Sequence, residues 1–194
     1  MYVCHMADGV TDTENAILDA ARDEVLAYGI RKTTASDIAK RAGIARQTLY
    51  RYYPDAQAVF AALVTRELVA VLPVAAPSAG TLDELVAMLV STAGAIRRMP
   101  LVDRLRETDP ELFGRYLLER LGTTQRVIVA ETARRVAEAQ RQGAVRAGDP
   151  ERLAAMVLLI AQSAVLSAPL VAEWIAGDDW GAELSVALRG YLGA

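Results

Sequence analysis

Apolar residues recur along this chain at the spacing of amphipathic helices, and no stretch sustains the alternation of a strand. Ile17, Ala21, Val25 and Tyr28 mark a first helix, capped by Thr11 or Thr13 and ended by Gly29. Ile38, Ala39 and Ala42 mark a short second helix, about residues 35–42, which Thr34 or Ser36 can N-cap because a side-chain oxygen accepts the orphan N–H groups of a first turn. Gly43 stands where that helix must stop, as a left-handed residue without a Cβ penalty, and Ile44 plugs the angle that follows. A third helix, about residues 45–53, ends at Pro54. Asp55 caps a long fourth helix through Val59, Phe60, Leu63, Val64, Leu68 and Val71, which stops near Pro73.

Two short helices joined by a glycine turn make a helix-turn-helix unit. With each residue advancing about 100° and Arg46 at zero, Tyr50 falls near ~40°, Gln47 near ~100° and Arg51 near ~140°. Ala45, Leu49, Tyr52 and Tyr53 fall on the other side, and Thr48 lies on the border. One face is therefore basic and hydrogen-bonding, the other apolar and aromatic. Arginine and glutamine carry the forked donors that match guanine and adenine edges in the major groove of DNA. Tyrosine hydroxyls and arginines also reach phosphate oxygens.

The pattern after residue 72 is again helical. VLPVAAPSAGT reads as a linker. Thr81 with Glu84 forms a capping-box pattern for a helix whose inner face is Leu82, Leu85, Met88, Leu89 and Thr92. Leu101 to Glu107 is a short helix stopped by Thr108-Asp109-Pro110. A long pattern from Glu111 through Tyr116, Leu121, Ile128 and Val136 bends near Gly122 and ends at Gly143. Asp149 then caps a run with Pro150 in its first helical position. That run is apolar on nearly every side, which calls for burial all round and suggests contact with a second subunit. Pro169 breaks it, and Trp180 to Leu192 forms a last helix with Leu184, Leu188 and Leu192 on one stripe. The expected fold is all-α.

Composition fits that fold: 53% of the 194 residues are hydrophobic, ample for a core. The net charge of −3 argues against nucleic acid until its distribution is considered. Between Arg31 and Tyr53 there are six cations (Arg31, Lys32, Lys40, Arg41, Arg46 and Arg51) and one anion, Asp37, a local +5. The remainder carries 15 cations and 23 anions, or −8. A basic patch on an acidic body is the electrostatic footprint of a phosphate-binding segment. Cys4 is the single cysteine and excludes an intrachain disulfide, which suits a reducing compartment. Cys4 and the sole histidine, His5, are too few for a tetrahedral metal site. No metal or cofactor is expected. The N-terminal run lacks the layout of a signal peptide. No apolar run reaches the ~20 residues of a membrane span without interruption. Leu153 to Ala172 comes nearest. A cytoplasmic protein without a membrane partner is the expectation.

The segment IAKRAGIARQTLYRYYPDAQAVF resembles the DNA-binding segment of the tetracycline-repressor (TetR) family: I-A-x-x-A-G, then T-L-Y, an aromatic pair and a newly capped helix. ILDAARDEVLAYGIRKTT upstream is similar to that family's first helix and its Gly–aliphatic–x–x–Thr exit. The likeness is close over about Ile17 to Phe60, and beyond that only length and helical pattern agree. It implies a head at residues 1–54 that binds DNA through Thr34, Ser36, Arg46, Gln47, Thr48, Tyr50, Arg51 and Tyr52. It implies an effector-binding and dimerisation region at 55–194, with the last two helices of each subunit forming a four-helix dimer contact. The implied partners are a palindromic DNA operator, a second copy of the chain and a hydrophobic small molecule that releases a repressor. Met88, Met99, Phe113, Tyr116, Gln162 and Trp174 are candidate pocket residues, because flexible or aromatic side chains with few polar groups line such cavities. Plain core packing explains any one of them equally well. Three positions depart from the pattern. Glu14 and Ala56 stand where many relatives place cations against the DNA backbone, and Glu24 stands at a position usually apolar.

An enzyme needs a convergent acid, base or nucleophile set, and none is present in the pattern. The rival reading is a helical small-molecule-binding or scaffold protein whose DNA-binding head is idle.

Overall fold

The computed structural model describes residues 12–72, 80–108, 111, 124–177 and 179–193. Among these residues the regular elements are all helical: α1 (Asp12–Tyr28), α2 (Ala35–Arg41), α3 (Arg46–Tyr52), α4 (Ala56–Ala70), α5 (Leu82–Arg97), α6 (Pro100–Thr108), α7 (Thr124–Arg141), α8 (Pro150–Ser167) and α9 (Asp179–Leu192), with 3-10 turns at Ile30–Lys32 and Ala168–Val171. Pro73, most of the linker, Phe113, Tyr116, the bend at Gly122, Thr11, Cys4 and His5 lie outside the described residues.

The chain divides into two compact units, one holding residues up to Glu67 with the segment from Pro100, the other holding Leu68–Met99 and the chain from Arg120. The core of the first unit joins Ile17, Ala21 and Val25 of α1, Ile38 of α2, Leu49 of α3, Val59, Phe60 and Leu63 of α4, and Leu101 and Leu105 of α6. The packing unit thus extends past residue 54 and takes in a helix some forty residues further along the chain. Two details of the sequence reading change. Thr13 lies inside α1 rather than capping it. Tyr28 shares the stripe of Ile17 by angle yet is 55% exposed, since it is the last residue of α1 before the chain turns at Gly29.

Local chemistry explains the helix ends of this unit. Thr33, buried, donates its hydroxyl to the Gly29 carbonyl at 2.8 Å and closes the turn out of α1. Thr34 rather than Ser36 caps α2, through a reciprocal box with Asp37. The Thr34 hydroxyl and backbone N–H donate to Asp37 Oδ2 at 2.6 and 3.0 Å, and Asp37 N–H donates back to Thr34 Oγ1 at 3.3 Å. Those bonds, the hydroxyl's first, hold the Asp37 carboxyl below its ordinary range. Asp55 caps α4, accepting from Ala58 N–H at 2.8 Å.

The second unit packs α7 and α9 against α8, with α5 against α8 and α9. Its core includes Leu85 and Val86 of α5, Val136 of α7, Leu153, Val157 and Val165 of α8, and Leu184, Leu188 and Leu192 of α9. The expected caps are present: Thr81 with Glu84 at α5, and Asp149, which accepts from Glu151 and Arg152 N–H at α8. One expectation is corrected. Pro150–Val171, 22 residues with an 18-residue window of mean hydropathy 2.0, is long and apolar enough to cross a membrane by length and composition. Gln162 and Ser163 do not lower its hydropathy enough to exclude it. Here it packs against α5, α7 and α9 through Leu153, Ala154, Val157 and Val165, with Met156 and Leu159 left exposed.

Leu49 has no exposed surface. Leu49→Ala should therefore cost about 2–5 kcal/mol, the usual range for a cavity of that kind, read as a lower urea midpoint. Thr34→Ala should move the Asp37 titration, followed by NMR, upward toward the ordinary carboxylate value. In the native chain this depressed group contributes stability above its unfolded pKa and loses it as pH falls through the folded one. The variant should show less of that acid sensitivity.

Candidate nucleic-acid interface

The turn between α2 and α3 sets the direction of α3. Gly43 takes φ +69°, and a side chain there would be strained. Gly43 N–H bonds the Lys40 carbonyl at 3.2 Å and Ile44 N–H bonds the Ala39 carbonyl at 3.0 Å, the paired bonds of a Schellman stop. Ile44 packs half-buried against the head core, as expected of the plug. Leu49 then enters the core, and Arg46, Gln47, Tyr50 and Arg51 stand exposed. Thr48 is half-buried on the border, Tyr52 is half-buried and Tyr53 is buried. Ala45 was expected on the apolar back but is exposed, because it is the N-cap residue, still outside the helix and in extended conformation.

The outward face is ordered by its own contacts. Arg46 donates Nε–H and an Nη2–H to Tyr50 Oη at 3.2 and 2.8 Å. The Arg51 guanidinium lies 5.6 Å from the centre of the Tyr52 ring. Ala45, Gln47, Thr48, Tyr50 and Arg51 line an open depression on this face. Ser36 is exposed in the first turn of α2. Thr34 is exposed too, but its hydroxyl both donates to and accepts from Asp37 within the cap.

The cations of this segment have separate fates. Arg41, though exposed, is engaged within the fold, donating Nε–H to Glu24 at 2.6 Å and lying 3.8 Å from Asp23. The hydrogen bond that Arg41 donates to Glu24 is the first cause of the raised pKa of Arg41. Glu24 is buried, and its carboxylate therefore has a paired function that an apolar residue could not supply. Arg31 pairs with Glu111 at 3.1 Å across an exposed surface. Lys32 and Lys40 are exposed alongside Arg46 and Arg51. Counting charge located the two lysines, although helical phase did not single them out as contact residues.

Glu14 has a structural partner as well. Tyr53 donates its hydroxyl to Glu14 Oε1 at 3.0 Å, and burial first, then this bond, pushes the Tyr53 pKa above its ordinary range. The acid at position 14 thus fixes the end of α3 to α1. Ala56 is half-buried against the head core.

Of the candidate pocket residues in the second unit, Met88, Met99 and Gln162 are half-buried. Gln162 Oε1 accepts from Gln125 Nε2 at 3.5 Å, between α7 and α8. Trp174 is 75% exposed. Phe113 and Tyr116 lie outside the described residues.

Comparison with known proteins agrees with this geometry. Residues 17–63 match the family of bacterial regulatory proteins called tetR. An HTH-type transcriptional regulator of Mycobacterium bovis is 40% identical over 187 residues, covering 96% of this chain and 98% of its own. The structure of QsdR, a transcriptional repressor of the TetR family from R. erythropolis, superposes with a TM-score of 0.70 at 16% identity, over 94% of this chain and 95% of that one. FadR from Bacillus subtilis, solved in complex with stearoyl-CoA, gives 0.63 at 16% identity, over 92% and 97%. With its exposed reading face, its turn geometry and a relative this similar over nearly its whole length, the chain belongs to the TetR family of DNA-binding transcriptional regulators.

Proposed function

We propose that this regulator is a cytoplasmic repressor that binds a palindromic operator as a homodimer and leaves it when a hydrophobic small molecule fills the 55–194 region. The observation that carries the DNA half of this reading is the rotational setting of α3. Leu49 is wholly buried while Arg46, Gln47, Tyr50 and Arg51 face outward. Residues 1–54 supply this reading surface, with Arg46 and Gln47 toward base edges. Arg51, Tyr52, Ser36, Thr48 and the cap residue Thr34 lie toward the backbone.

A seven-residue reading helix offers few base contacts, so two copies about one DNA turn, ~34 Å, apart bind far better than one. The second unit carries a surface suited to pairing. On α8, Met156 and Leu159 are 42% and 59% exposed, and on α9 Val186 is 65% exposed between Ala182 and Gly190 one turn to either side. These exposed apolar side chains on two packed helices, flanked on α9 by Glu183 and Arg189, fit a four-helix contact with its own copy. Trp174 and Leu170, both strongly exposed, lie in the connection between the same two helices.

For the ligand, the half-buried Met88, Met99 and Gln162 remain the proposed lining within the second unit. The stearoyl-CoA complex of FadR supports a long apolar ligand for this fold. A ligand that favours a dimer with its heads mis-spaced draws the population off DNA, and coupling of about 1–3 kcal/mol is typical of such linked sites.

Gel shifts across a salt series, with and without a panel of hydrophobic compounds, test this reading. Arg46→Ala and Gln47→Ala should each relax base preference, a lost base interaction being worth about 1–3 kcal/mol. Arg51→Ala should weaken all DNA alike and flatten the salt dependence. Identical behaviour of the three variants would contradict the assignment. Val186→Glu should yield monomers in sedimentation and lose preference for paired over single half-sites, whereas a dimer unchanged by it would place the seam elsewhere.

A further inference from the structure

The reading face contains a side-chain arrangement that helical phase alone does not impose. Arg46 and Tyr50 stand one turn apart, both exposed. Arg46 directs two donors from the same side of its guanidinium, Nε–H and one Nη2–H, to a single atom, Tyr50 Oη. The guanidinium carbon lies 5.2 Å from the ring centre.

The donor inventory then leaves little choice. A phenol oxygen has two lone pairs and one O–H, and a guanidinium has five N–H groups in a fixed plane. The two N–H groups converge on Tyr50 Oη from one side. The side edge of Arg46 is occupied. Its end edge, one N–H from each of Nη1 and Nη2, remains as a parallel pair. Parallel donors of that kind match O6 and N7 of guanine, which present two acceptors side by side in the major groove. Adenine offers an acceptor beside a donor, and thymine a lone acceptor beside a methyl group.

We propose that Tyr50 is a positioning residue that holds Arg46 end-on, and that each operator half-site therefore carries a guanine opposite Arg46. This rests on reading α3 as the recognition helix and adds to it a base identity and the group that enforces it. Fixing a rotamer-rich arginine before DNA arrives also reduces the ordering left to do on binding. Tyr50 thus acts through Arg46.

The test is selection of bound sequences from random DNA, then titration of the recovered site and its single-base variants. The full chain is used as wild type, Arg46→Ala and Tyr50→Phe. The wild type should recover one guanine per half-site whose replacement weakens binding. Arg46→Ala should erase preference at that base pair and leave the others. Tyr50→Phe keeps the ring and removes the hydroxyl. It should cut preference at the same pair about tenfold, with the other positions, the salt slope and the melting temperature unchanged. If Tyr50→Phe instead weakens every sequence alike and flattens the salt slope, Tyr50 is a phosphate contact and the proposal fails. It fails equally if the Arg46-dependent base is not guanine, or if guanine preference survives the loss of the hydroxyl. A wild-type chain that enriches no sequence at all would remove the recognition-helix reading and this proposal with it, so the two failures are distinguishable.

Discussion

The head depends on one leucine being dry. A helix of seven residues is too short to hold itself together in water, so α3 exists because its surroundings require it. Leu49 enters a cluster built from α1, α2, α4 and α6, and this single knob fixes how far α3 is rotated about its axis. At about 100° per residue, that rotation decides which four side chains look outward. A slip of one residue would put the hydroxyl of Thr48 or Tyr50 into the core, a cost unless it found a hydrogen-bond partner there.

Much of this was legible from neighbours in sequence. Capping boxes, a glycine in left-handed conformation and a proline in the first helical turn act over three or four residues. Thr34–Asp37, Thr81–Glu84, Gly43 and Asp149–Pro150 therefore read directly. What sequence concealed acts over distance. Nothing in the pattern joins Glu24 to Arg41, Glu14 to Tyr53, or Leu101 and Leu105 to a core assembled from the first 63 residues. Ends of elements also misled. Tyr28 and Ala45 were placed by helical phase, but one ends its helix and the other only precedes it. The ligand-lining candidates were least legible, since a half-buried methionine in a wall and one in a core have the same neighbours in sequence.

The charges of the head show how a basic segment can be both a structural and a recognition device. Arg41 is paired with a buried carboxylate and ties α2 to α1. Arg22 reaches Glu67, and Arg66 reaches Asp19 and Glu67, tying α1 to α4. The two acids that depart from the family pattern, Glu14 and Glu24, are thus part of the scaffold that presents Lys32, Lys40, Arg46 and Arg51. Acids near a DNA-facing segment raise the repulsion toward phosphate, but here both are already engaged with a partner within the fold.

The placement of α6 has a consequence for protein engineering. The chain leaves the first unit near Glu67, runs through α5, and returns to supply α6 before leaving again. Leu101 and Leu105 are part of the head's core, and Arg104 donates to the Ala27 carbonyl at the end of α1. A chimera that grafts the first 54 residues onto a foreign body therefore inherits an open seam where α4 and α6 belonged. Its recognition specificity would travel with the graft only if the recipient offered an equivalent pair of leucines at the same place. Interchangeability of this head is thus governed by a helix that is no part of the helix-turn-helix itself.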